Sequence, residues 1–527
     1  MNSIVNSLNG NKDYVKMLKD SNSYLITGLN DSAKALIALS ACVTKNKSGI
    51  IILKSVQSAK KMVYDLEFFN DEYDICYLPS TPINYYNVST ESREEENQRI
   101  NVYKKILENK KVIVVTTVDF VMQNVLSESL NITTNFKLKN SDKTDIETLV
   151  KTFTSLGYTR YDAVEGKGTF SVRGDIVDIF PVNMDNPCRI EFLFDEIDSI
   201  RTFDVLSQRS IDTLKEISVC QTEENLISDN KIEYVISKLE ELLEKYTDSV
   251  KMSDEISSDI ERLRKGDYKN LISKYYKLFT DKDYNPLEFF ISKDFEIFID
   301  EYDRLIEKSQ NIIYENEEVI SHLVKKEYID SQFVNKYVPF EKIYNDILNN
   351  KKTYLLQKLN DISLKGINII DFDTKELSIY RQSLFETLPV DIAKNKDKII
   401  VISVLTDVRK NQIEEILRIK KINYKVVNNI NDINAKEAYV YLTKGIISSG
   451  FESKYFEFVI FAEPQSKFGE KIKKKVRKDD NIGLDILSFE DLKVGDYIVH
   501  ENHGIGKYLG IESINIQGVI KDYMKIS

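Results

Sequence analysis

Residues 157–203 read GYTRYDAVEGKGTFSVRGDIVDIFPVNMDNPCRIEFLFDEIDSIRTF. Phe170 and Val172 alternate with Thr169, Ser171 and Arg173, which is the period of a half-buried strand. Gly174-Asp175 is a turn dipeptide, and Ile176 to Phe180 supplies the returning strand that Pro181 ends. A second pair follows, Cys188 to Phe194 and Ile197 to Phe203, with its turn expected at Asp195-Glu196. Four short strands joined by tight turns make an antiparallel meander. The alternation predicts Ile190, Phe192 and Phe194 toward a core and Arg189, Glu191 and Leu193 on the opposite face. The stretch has no histidine, and its carboxylates are read as having arginine neighbours. Arginines on an open sheet face read as a docking surface rather than a catalytic one.

The runs GTFSVRGDIVDIFP and RIEFLFDEIDSIRTFD, followed by SQRS, resemble the second domain shared by the excision-repair protein UvrB and the transcription-repair coupling factors. The resemblance implies that this sheet face binds the damage-recognition ATPase UvrA. It assigns UvrA contact to Arg173, Arg189, Phe192 and Leu193, the arginines as forked donors to carboxylates and the other two as apolar contacts.

Length and composition frame the rest. A chain of 527 residues implies roughly three to five domains. Forty-two per cent hydrophobic and 30% charged residues are enough for ordinary buried cores. A net charge of −11 argues against a protein that coats nucleic acid, since phosphate binding needs a basic face. Cys42, Cys76, Cys188 and Cys220 share no CxxC spacing and only three histidines exist, so neither a disulfide framework nor structural zinc is expected. No long apolar run stands out. The expectation is a reduced, cytoplasmic protein with no metal and no membrane segment.

Residues 1–125 alternate strand and helix. Strands at Tyr24–Gly28, Ile50–Leu53, Ile75–Leu78 and Val112–Val115 predict a parallel α/β sheet. The first strand-to-helix turn is the phosphate-binding position of such sheets, and here it reads TGLNDSAKALIA. A phosphate loop needs a second glycine directly before Lys-Ser/Thr. Ala33 precedes Lys34 and Ala35 follows it, so Gly28 and Lys34 mark a degenerate, inactive nucleotide loop capped by Asp31 or Ser32. Ile297 to Glu301, IFIDE, has the form of a Walker-B strand end and reads as a solvated acidic terminus. UvrB itself has an intact loop and a DNA-probing aromatic hairpin soon after it. Residues 78–99, LPSTPINYYNVSTESREEENQR, have only Tyr85 and Tyr86 where that hairpin would be. The resemblance is therefore to the coupling factors.

Ile232, Val235, Ile236, Leu239, Leu242, Leu243 and Tyr246 recur at helical spacing and predict a core-packing amphipathic helix. Residues 219–355 are expected to complete the first domain around the inserted meander domain, 126–218. From Gly366 the α/β rhythm restarts, with strands at Ile367–Phe372, Ile399–Val404, Tyr439–Thr443 and Phe458–Ala462 and a helix over Leu405–Ile419. These predict a small α/β domain over 356–468. Lys471 to Lys478, KIKKKVRK, reads as a solvated basic linker spanning 469–487. From 488 onward, LKVGDYIVH, ENHGIGKYLGIESI and GVIKDYMKI are short β-rich runs broken by glycines, the pattern of a small bent barrel of SH3 or Tudor type. His500 and His503 read as turn histidines, since no further ligand stands beside them. This segment resembles the CarD-like domain of the same family. That implies pairing with the RNA polymerase β subunit along a sheet edge, with Ile511, Ser513 and Ile514 in the contacting strand.

The fold expected is a multidomain α/β protein: a degenerate RecA/UvrB-like parallel domain with an inserted meander, a small α/β domain and a partial barrel. The function expected is that of an adaptor without chemistry of its own, joining stalled RNA polymerase to UvrA in nucleotide excision repair. The resemblance places ATP, Mg and most DNA contact in a motor beyond Ser527, and makes the chain the N-terminal half of a longer protein. Two rivals are a UvrB-type repair ATPase, opposed by the broken loop, and a CarD-type transcription regulator, which leaves residues 157–203 without a role.

Overall fold

The computed structural model describes residues 4–5, 8–81, 83–85, 93–108, 110–126, 136–349, 351–359, 366–377, 384–433, 439–463, 497–500, 504–516 and 519–526. They divide into two compact units, Met1–Gly469 and Glu470–Ser527.

The first unit is built on a seven-stranded parallel sheet. Its spatial order is Asn368–Asp371, Tyr24–Thr27, Thr353–Leu356, Glu296–Asp300, Gly49–Leu53, Val112–Thr117 and Asp74–Leu78. Gly49–Leu53 has the burial expected of a central parallel strand, every residue being buried. Its side chains alternate between two cores. Ile51 and Leu53 point into one with helices Asp31–Lys45 and Val56–Phe69, and Ile50 and Ile52 into the other, with Phe290, Tyr302 and Phe340. Strands from residues 296–300 and 353–356 thus complete a sheet begun at the N-terminus. The strand at Asn368–Asp371 differs from its expected place. It pairs in parallel with Tyr24–Thr27 and not with the second α/β sheet. Local periodicity identifies a strand but carries no information about its neighbour.

The inserted domain is a six-stranded sheet in the order Ser210–Leu214, Glu196–Phe203, Cys188–Leu193, Ile176–Ile179, Thr169–Arg173, Thr159–Arg160. The four expected strands form the antiparallel meander. Phe170, Val177, Ile179, Cys188, Ile190, Phe192, Ile197 and Ile200 close its core with helix Ile146–Ser155. Phe194 is a correction: it is 89% exposed and has φ +57°. Leu193 pairs with Glu196, so the two-residue turn is Phe194-Asp195 rather than Asp195-Glu196. That one-residue shift moves Phe194 off the core face and onto the hairpin tip. The other hairpin has the same geometry, with Gly174 at φ +57° between Arg173 and Ile176.

Helix Asp229–Leu243 packs its apolar stripe as the periodicity predicts, and a second helix, Val250–Arg264, joins it in one apolar cluster through Val235, Leu239, Ile256 and Leu263. The second α/β sheet has the order Lys375–Leu377, Gly450–Glu452, Phe458–Ala462, Ile399–Val404, Val440–Lys444, Tyr424–Val427. Helix Asp407–Ile419 is capped by Thr406, whose side chain accepts from Arg409 N. Val401, Tyr441, Phe458 and Ile460 of this sheet lie in the same hydrophobic cluster as Ile26, Ala33 and Leu36. The two α/β layers therefore share one continuous core. No described helix is long and apolar enough to cross a membrane.

The second unit shows a three-stranded antiparallel sheet in which Gly504–Ile516 lies between Tyr497–His500 and Val519–Ile526. The basic run 471–478, Tyr86 and His503 lie outside the described residues.

Candidate interaction surfaces and the first strand-to-helix turn

Strand Tyr24–Thr27 delivers the chain into the turn Gly28-Leu29-Asn30, after which helix Asp31–Lys45 begins. The cap is Asn30 and not Asp31 or Ser32: its side chain accepts from Ala33 N at 3.0 Å. Lys34 follows one turn later and is buried, as is Asp300 at the end of strand Glu296–Asp300. The Lys34 Nζ donates to Asp300 Oδ1 and to Glu301 Oε1, both at 2.6 Å. The IFIDE strand end is therefore not solvated. Burial pushes the Asp300 carboxyl above the usual carboxylate range, although Lys34 opposes it. Burial also acts on Glu301, but the Lys34 charge and hydrogen bond outweigh it and hold this carboxyl low. Lys34, in turn, is held charged by the two carboxylates against the cost of its burial. Glu301 sits at φ +50°, a left-handed conformation fixed by its N–H on Leu356 O and by Lys358 N on its Oε1, both 2.9 Å. The lysine that a phosphate loop would offer to a nucleotide is consumed by an internal triad.

The open face of the meander domain has its own arrangement of charge. Asp178 and Arg189 are direct cross-strand neighbours. Arg189 donates from Nε and Nη2 to the two Asp178 carboxylate oxygens, each at 2.7 Å, and from Nη2 to Gln208 Oε1 at 3.0 Å. Its guanidinium lies 4.6 Å from the Phe203 ring centroid. The hydrogen bonds to Asp178 hold Arg189 charged. Two Nη1 protons are left without a protein acceptor among the described residues. Arg173 is exposed and donates from Nε and Nη2 to Asp162 O at 3.1 and 2.8 Å. Beside them Arg201 pairs with Glu191, which also accepts from Ser199 Oγ at 2.8 Å. Leu193 is 60% exposed on the same face, whereas Phe192 is 7% exposed and belongs to the core. Phe192 therefore packs beneath this face and exposes little surface of its own. Sequence reading missed Asp178, the residue that fixes Arg189. The only signal was its alternation with Val177 and Ile179, which puts it on the arginine face.

In the second unit Ile511, Ser513 and Ile514 lie together in the long strand and pair with Met524, Asp522 and Lys521. Tyr497–His500 pairs only with Gly504–Lys507. Over 508–516 the second edge of this strand has no partner strand among the described residues. Nor does any group of three or more His, Cys, Asp or Glu among them form a metal site.

Two stretches of the chain match known families. The UvrB interaction domain family matches residues 136–224, and the CarD-like/TRCF RID domain family matches residues 492–527. A transcription-repair-coupling factor of Staphylococcus haemolyticus is 28% identical over 512 residues, 95% of this chain and 43% of that protein. One from Bacillus subtilis strain 168 is 26% identical over 513 residues, with the same two shares. The chain thus spans less than half the length of these relatives. In domain content and over nearly its whole length, it matches the N-terminal part of the transcription-repair-coupling factor family.

Proposed function

We propose that the chain is the adaptor portion of a transcription-repair-coupling factor, gripping UvrA with the meander face and the RNA polymerase β subunit with the strand Gly504–Ile516. The carrying observation is the state of the two arginines. Each is anchored to its own domain through Nε and Nη2, so each presents the rest of its fork with little rotamer entropy left to lose on binding. Acidic groups on UvrA are the complement, with Leu193 supplying apolar contact. On the polymerase side, the strand edge at Ile511, Ser513 and Ile514 that has no partner strand among the described residues suits addition of a partner strand. The adaptor performs no nucleotide chemistry, since Lys34 is held by Asp300 and Glu301. ATP and Mg serve the motor of the full-length protein, which also makes most of the DNA contact.

Immobilised chain is expected to retain purified UvrA without ATP. Arg173→Ala combined with Arg189→Ala is expected to lower retention at least tenfold, the loss of two charge-assisted contacts worth about 1.5–3 kcal/mol each. Unchanged retention by the double variant, with RNA polymerase binding intact, would remove the UvrA assignment.

A further inference from the structure

We propose that the relic loop Gly28–Ser32 is an intramolecular docking site: the place where such sheets bind phosphates is occupied by two hydroxyl-bearing segments of this same chain, 371–374 and 448–450. The loop's polar groups are used one by one. Phe372 N donates to Thr27 O at 3.0 Å and Thr374 N to Gly28 O at 2.7 Å. Thr374 Oγ1 donates to Gly28 O at 2.7 Å and accepts from Asn30 N at 2.9 Å. From the other side, Ser449 N donates to Ser32 Oγ at 3.0 Å, and Ser32 Oγ meets Ser448 Oγ at 3.0 Å. Asn30 Nδ2 donates to Ser449 Oγ at 2.9 Å and to Gly450 O at 3.2 Å. Ser448 N is held in turn by Asp65 Oδ1 at 2.6 Å, from helix Val56–Phe69.

The fit is close as well as polar. A Cβ at Gly28 would lie 2.3 Å from Asp371 Oδ1 and 2.5 Å from Asp373 N, and Gly28 has φ +68°. One at Gly445 would lie 2.7 Å from the Phe68 ring. Asn30 and Ser32 are buried, and the apolar cluster behind them runs without a break from Ala33 and Leu36 to Tyr441, Phe451 and Phe458. A loop that only lost its ligand would face solvent. This one has exchanged a phosphate for serine and threonine hydroxyls and backbone, and the exchange ties the second α/β sheet to the first. Nucleotide is excluded by occupancy as well as by the missing loop residues, and the two sheets move as one body. The reading is independent of the UvrA assignment, because the meander face takes no part in the joint.

Amide exchange in the 527-residue chain tests it, with the meander strands 169–203 as internal control and UvrA retention as a functional one. Gly28→Ala forces the loop against residues 371–373 and is expected to speed exchange over 440–452 at least tenfold, leaving 169–203 and UvrA retention unchanged. Ser448→Ala, which removes one hydroxyl and its hydrogen bonds, is expected to give about fivefold, the equivalent of roughly 1 kcal/mol. Native exchange over 440–452 in Gly28→Ala overturns the proposal. If Gly28→Ala disturbs the control strands as well, Ser448→Ala decides, and unchanged exchange there overturns it. Protection of 28–34 by millimolar Mg-ATP in the unmodified chain also overturns it.

Discussion

Replacing Lys34 by methionine keeps most of the side-chain volume and removes the cation that Asp300 and Glu301 share, leaving Glu301 only the Arg304 Nε at 3.9 Å. All three side chains are shielded from water, with 3%, 11% and 16% of their surface exposed. Removing one partner from a buried ion pair costs about 3–5 kcal/mol, mostly the penalty of the uncompensated charge left behind. The loss should depend on pH with a definite sign. Burial already raises the Asp300 carboxyl above its unfolded range, and losing Lys34 raises it further. A carboxyl whose folded pKa is raised stabilises below its unfolded pKa and loses that contribution as pH rises through the folded value. The deficit of Lys34→Met should therefore be large at pH 8 and smaller at pH 5. Adding Asp300→Asn should recover most of it, because one unpaired charge then disappears. A chain with several cores has no single unfolding free energy, so amide exchange over Glu296–Asp300 is the suitable readout. A deficit below about 1 kcal/mol at pH 8, or the same deficit at pH 5, would refute the triad as the reason Lys34 is unavailable to a nucleotide.

Asp65 is fully buried, and burial pushes its carboxyl up to about 7, against the Ser448 hydrogen bonds that lower it. By the same sign rule, its contribution is full only below the ordinary carboxylate range and falls as pH rises to about 7, with about 1.4 kcal/mol of the loss between pH 6 and pH 8. Exchange over 440–452, corrected for intrinsic rates, should quicken accordingly, and Asp65→Asn, which can still accept from Ser448 N, should flatten the slope. Phe194→Asn should stabilise the hairpin by about 1 kcal/mol, since asparagine tolerates the left-handed conformation that an aromatic residue resists. Slower exchange at Ile197 is the expected result; faster exchange would show that the exposed ring packs on something.

The second α/β sheet and the first are separate in sequence pattern and joined in structure. One apolar cluster runs through both, and its polar margin is the loop that elsewhere in this class of fold holds phosphate. In that loop the glycine, the cap residue and the lysine all have partners within the chain.

What could be read from residues alone was local. Alternation in Thr169–Arg173 and Cys188–Leu193, and the continuous apolar run at Ile50–Leu53, specify strands because a side chain's face repeats every two residues and a central parallel strand is buried on both. The missing glycine and hydroxyl around Lys34 were equally plain, as was the likeness of residues 157–210 to a known domain. Tertiary structure alone decided what each element meets. Lys34 finds Asp300 across 266 positions, and Asn30 finds Ser449 across 419. Asn368–Asp371 joins a sheet begun over three hundred residues earlier, and Phe194 leaves the core because its turn closes one residue sooner than its dipeptides suggest. Periodicity encodes which way a side chain points from its own backbone. The partner waiting there is chosen by how the whole chain packs, and no local window contains it.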